Sequence, residues 1–185
     1  MSPMPTHSST RRERPAAPLP LICAALLAAS LACVPKAAPP EETCTLQTPL
    51  VPGVPGSPGH FIASEINPNG ASELATLMRR FVSDWRGVQG ALREHQALPK
   101  APFAPQHAKV RCAWPTEAQD RNEVFDGLAV GYLTAVRTYD VAPSAQTFNK
   151  VVASCRACHE QTCGGPLVVI DSLKVPEQQA AAATK

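Results

Sequence analysis

From Leu74 onward the chain carries apolar residues at a helical beat. Leu74, Met78, Phe81, Trp85, Val88 and Leu92 follow one another at steps of 4, 3, 4, 3 and 4, the stripe of one buried helix face. Arg79, Arg80, Asp84 and Arg93 fall on the other side, as on a solvated face. Asn69-Gly70 marks a start and Pro99 a stop, which predicts a long helix from Ala71 toward Pro99. Pro99, Pro102, Pro105 and Pro115 leave room only for a short helix around Gln106–Ala113. Thr116 then reads as the cap of a second long helix, with Phe125, Leu128, Tyr132, Ala135 and Tyr139 at steps of 3, 4, 3 and 4. Gly127 and Gly131 keep that helix small-faced, which suits a close neighbour or a flat ligand. After the tight Asp140–Pro143 connection, Ser144 caps a last helix whose inner face reads Phe148, Val151, Val152, Cys155, Cys158 and His159. The one strand-like run, Leu167–Ile170, is short and follows a proline. The pattern predicts an all-α fold, an antiparallel four-helix-bundle-like arrangement of three long helices and one short.

Composition sharpens the boundaries of that domain. The chain has 185 residues, enough for one ordinary domain. Of its 20 prolines, eight lie between Pro35 and Pro68, and none between Pro68 and Pro99 or Pro115 and Pro143. Residues 33–69 therefore read as a Pro/Gly-rich tether, 70–173 as the helical domain and 174–185 as a flexible tail. Lys and Arg number 17 against 15 for Asp and Glu. Setting aside residues 1–32, with three arginines and one glutamate, leaves 14 of each. A neutral body lacks the basic footprint of a nucleic-acid binder.

Residues 1–32 have the layout of an export signal. Arg11, Arg12 and Arg14 precede an uncharged stretch from Leu19 to Ala32, fourteen residues long. That is too short for a bilayer span, which needs about 20 residues. Cys33 at its end resembles a bacterial lipoprotein processing site, although Ser30 and Leu31 depart from the usual pattern. Two outcomes stay open: lipidation of Cys33, or ordinary cleavage nearby with Cys33 removed or free. Val34 is not the aspartate of an inner-membrane retention signal, so a lipidated chain is expected on the periplasmic side, at the outer membrane.

The chemistry sits in Cys155-Arg156-Ala157-Cys158-His159. C-x-x-C-H is the attachment signature of a c-type haem. Two thiols three residues apart on a helical turn reach the two vinyl groups along one haem edge, and the next residue presents an imidazole to the iron. A thioredoxin-like dithiol needs the motif at a helix N-terminus after a strand, and here it lies late in a helix. A zinc site from Cys155, Cys158, His159 and Cys163 would require the adjacent Cys158 and His159 to meet at one tetrahedral centre. One covalent haem c, held by Cys155 and Cys158 with His159 as proximal ligand, is the expected cofactor.

A haem motif on the last helix, after amphipathic helices, resembles the class II cytochromes c, the cytochrome c-prime family. The segment Phe148–Glu160 is similar to that family's final helix, and the likeness covers about residues 70–163. It implies a four-helix bundle clasping the haem near one end. Two features depart from the family. Glu160, Gln161 and Thr162 stand where a basic residue commonly follows the motif, and the second helix is reduced. Low-spin members take a methionine of the first helix as sixth ligand, and Met78 is the one methionine after the export signal. Met78 as distal ligand and Met78 as a core residue beside Phe81 both remain open. His95 and His107, near helix ends and expected to face solvent, are weaker alternatives, and His60 lies in the tether.

Three further thiols follow the export signal: Cys44, Cys112 and Cys163. Exported thiols usually pair. The antiparallel last two helices bring their outer ends together, which favours Cys112–Cys163, leaves Cys44 over and makes Cys44–Cys163 the rival. No paired carboxylates, nucleophile set or phosphate loop competes with the haem motif, so an electron carrier rather than an enzyme is expected. Its partners would be redox proteins, a membrane through the lipid tether and a second copy of the chain. The alternatives are a five-coordinate haem sensor or gas-binding protein, and a non-haem helical lipoprotein with structural cysteines.

Overall fold

Ser72, not Asn69, starts the first long helix. The computed structural model describes residues 44–99 and 102–176, all within one compact unit. Helix α1 spans Glu73–Arg93, and the Ser72 hydroxyl accepts the Ala75 N–H at 3.1 Å. Gly70, at φ 81°, turns the chain into this cap, and a side chain there would press on Phe61. The stripe buries as its spacing requires: Phe81, Trp85, Val88 and Leu92 are in the core, while Leu74 and Met78 are half-buried at its edge. The helix stops at Arg93, well before Pro99, where His95 adopts a left-handed φ of 53°.

The Pro-rich segment is more ordered than its prolines suggest. Helix α2, Ala104–His107, runs into a 3-10 turn, Ala108–Arg111. Its free amides find an acceptor on another helix: Asp140 takes the N–H groups of Phe103 and Ala104 at 2.9 and 2.8 Å. Phe103, Ala104, His107 and Val110 all point inward.

Helix α3 spans Glu123–Val141 and begins six residues later than Thr116 suggested, at the cap Asn122. The Thr116 hydroxyl instead donates to Ser72 Oγ, and residues 118–120 form a separate 3-10 turn. Arg121 accounts for the delay. Its guanidinium donates to the carbonyls of Thr45, Thr48 and Arg111, which holds this stretch as a loop. Helix α4, Ala145–Thr162, starts at the expected Ser144, whose hydroxyl forms a reciprocal capping box with Thr147. The three-residue connection makes α3 and α4 an antiparallel pair.

Leu167–Ile170 is helical. Helix α5, Leu167–Leu173, turns back along α4 and buries Ile170 and Leu173. A short apolar run does not reveal its period, so strand and helix look alike in the sequence. Asn149 exchanges two hydrogen bonds with the Val175 backbone, and Gln89 donates to Ser172 O at 2.7 Å. Val175 is buried, so the ordered chain extends past the expected tail boundary at 174. The described residues contain five α-helices and no strand, only an isolated bridge between Ile62 and Ala71.

Two expectations about residues 44–70 and their cysteine are corrected. Residues 44–70 are not a free tether, because they fold onto the helices. Gly56 O accepts from Glu73 N, Trp114 Nε1 donates to Val51 O, and a side chain on Gly56 would collide with the Glu73 backbone. The disulfide is Cys44–Cys112, with Cα atoms 5.3 Å apart, and not Cys112–Cys163 or Cys44–Cys163. The antiparallel argument placed Cys112 at the mouth of α3. It belongs instead to the loop that Arg121 ties to residues 45–48, and this brings Cys44 to it.

Candidate functional site

The core face of α4 continues into the motif. Phe148, Val151 and Val152 are buried, and Cys155, Cys158 and His159 follow on the same face, half-buried, over the last turns. Cys155 packs against the core cluster. Neither motif cysteine is in a disulfide. Burial, with the neighbouring Cys158, pushes the Cys155 thiol up to about 12. Burial also raises Cys158, against a hydrogen bond from Thr162. A redox dithiol needs the opposite, a thiol acidified by its surroundings.

The C-terminus of α4 orients the imidazole. Past Thr162 the backbone becomes extended at Cys163, whose N–H donates to His159 O at 3.0 Å. In the other direction, His159 Nδ1 lies 3.0 Å from Cys163 O. A carbonyl can only accept, so Nδ1 carries the proton and Nε2 keeps its lone pair for a metal. The partner of this kind that a ligating histidine requires is thus supplied by the motif's own helix end. On the flank of α4, Arg156 pairs with Glu160 at 2.9 Å and with Asp171 of α5. That spends the motif's one cation on holding α5.

On α1, Leu74, Leu77 and Met78 are half-buried and pack against the same core cluster as Cys155. On α3, Leu128 is half-buried, and a side chain at Gly127 or Gly131 would meet nothing within 4 Å. Apolar side chains at this edge are therefore only partly covered, unlike Trp85 or Val136 deeper in the core. Cys163 lies exposed as a free thiol. Among the described residues no three His, Cys, Asp or Glu side chains gather around a point. A haem does not ask this of its anchors, because the thiols bond its edge and only the imidazole approaches its centre.

His107 is where the sequence reading fails. It is fully buried, not solvent-facing, and lies between Tyr132 and Asp84. Asp84 is accordingly not a plain surface residue. The inward set Phe103, Ala104, His107 and Val110, at helical spacing, was the available signal. His60 and His95 are exposed. Cys33 and the export segment lie outside the described residues.

No family model, curated protein or solved structure matches the chain. What the site can do is carried by its own residues.

Proposed function

We propose that this chain is an exported monohaem c-type cytochrome that carries single electrons, with a class II-like, four-helix-bundle-like body. The observation that carries this is the C-x-x-C-H face of α4 together with the His159–Cys163 clasp, which leaves Nε2 free to ligate. The donor set fits the group: two unpaired thiols one turn apart, an adjacent imidazole with a fixed tautomer, and half-covered apolar neighbours. When bound, haem supplies an iron that alternates between ferric and ferrous states.

The chain's residues do the rest. Cys155 and Cys158 would hold the haem, each through one thioether bond to a vinyl group of its edge. His159 offers Nε2 as the proximal ligand. Leu128, half-buried on the helix antiparallel to α4, would help to exclude water from the group. Met78 is the proposed distal ligand, and a thioether there favours electron exchange over binding of small gases. A five-coordinate, gas-binding site is the outcome if Met78 stays in the core, and the optical spectrum separates the two. A haem stain on a denaturing gel tests attachment itself. Haem that stays with the chain supports this function, and haem that washes out excludes it.

The proposed location is the periplasmic side of a membrane, through lipid on Cys33. With Cys44 tied to Cys112, the link from Cys33 is the ten residues 34–43. Fully extended, it reaches about 35 Å at 3.3–3.6 Å per residue. The domain would work close to the membrane, meeting redox partners there. Mass spectrometry of the mature N-terminus tests this, with a lipid-modified Cys33 as the expected result and an unmodified start elsewhere as the contrary one.

A further inference from the structure

Beside the motif lies a run of buried polar groups that electron carriage alone does not require. Trp85 Nε1 donates to Tyr132 Oη at 3.1 Å, Tyr132 Oη is 2.6 Å from His107 Nδ1, and His107 Nε2 is 3.2 Å from Asp84 Oδ2. The carboxylate can only accept, so Nε2 carries the ring proton. Nδ1 is then an acceptor, and the Tyr132 hydroxyl donates to it. Every member is satisfied with the imidazole neutral.

The ring is sealed on its other sides. Phe81 stacks on it at 3.8 Å, Trp85 meets it edge-on at 5.3 Å, and Phe103 closes a third side. Its way to water is Asp84, whose side chain is 27% exposed. The charged groups acting on it are Asp84 and Arg80 from α1 and Asp140 from α3. Toward α4, Tyr132 belongs to the core cluster against which the Cys155 side chain packs.

We propose that His107 is a proton site coupled to the haem: as one electron arrives from a redox partner, one proton from water binds His107 Nδ1, and Asp84 holds the imidazolium. This rests on the cytochrome function. The balance is one electron and one proton, both released again on oxidation, with no other bond made or broken. In the protonated state Nδ1–H donates to Tyr132 Oη, which already accepts from Trp85 and has a second lone pair. Burial holds His107 below the ordinary imidazole range, while the Asp84 hydrogen bond pulls it back up. An added negative charge nearby shifts that balance toward the cation.

The test is the reduction potential of the haem-loaded full chain between pH 4.5 and 8. The potential is expected to fall as pH rises, by up to about 59 mV per tenfold change in proton concentration, inside one window. His107→Gln removes the slope. Asp84→Asn, at a half-exposed position that tolerates it, moves the window to lower pH. Ring NMR of His107 should show a higher pKa in the reduced protein than in the oxidised one. A flat potential, a slope that survives both substitutions, or identical titrations would overturn the proposal. A chain without covalent haem overturns the cytochrome function and this site together, whereas a loaded chain with a flat potential overturns this site alone.

Discussion

His159 and Cys163 hold each other twice, ring to carbonyl and amide to carbonyl, and that clasp leaves the motif histidine with one defined free nitrogen. The motif could be read from sequence because its spacing is local, five consecutive residues. The clasp could not, because it depends on how α4 ends. Met78 carries the first prediction. Met78→Ala should convert a low-spin spectrum to a high-spin one and admit carbon monoxide, whereas an unchanged spectrum would return Met78 to the core. His107 carries the second. Its folded-state pKa lies below the unfolded value of about 6.5, so the unfolded chain takes up the proton first on acidification. Stability should therefore fall as pH drops through about 6.5. Denaturant melts of wild type and His107→Gln check this, and the variant should lose the acid-side slope.

Among the elements, α4 was legible at its Ser144 start, and α1 in its stripe but not in its ends, which fall at Ser72 and Arg93. Ser144→Ala should cost about 1 kcal/mol of unfolding free energy, read by chemical denaturation. Helix α3 was legible in its face but not in its start. Thr116 looks like a cap, and only the placement of Arg121 against residues 45–48 shows that the loop runs on to Asn122. Helix α5 was illegible because four apolar residues do not display a period. It is fixed by contacts distant in sequence, Asn149 with Val175 and Gln89 with Ser172. The aromatic face of α1 should be the least forgiving of change. Phe81→Ala is expected to cost about 3–5 kcal/mol, since Phe81 stacks on both His107 and Tyr132.

At the scale of the molecule, the helices are belted by a segment whose prolines and glycines look like linker. Composition reports how little residues 44–70 can bury by themselves. It does not report that a disulfide and two arginine-donated bonds fasten them to the loop before α3. Cys44–Cys112 closes a separation of 68 residues, and Cys44→Ser should lower stability by about 4 kcal/mol. Cys163→Ser should leave stability unchanged, which distinguishes this pairing from one through Cys163. The all-α class was readable from periodicity, while the pairing depended on a loop that no periodicity describes. The proposed function rests on one bond type, the thioether that Cys155 and Cys158 would form. The most direct measurement is intact-mass analysis with in-gel haem staining of the exported protein after full denaturation. One haem remaining covalently on the chain, and lost in Cys155→Ala/Cys158→Ala, is the predicted result; an unmodified mass with free thiols at both positions would contradict it.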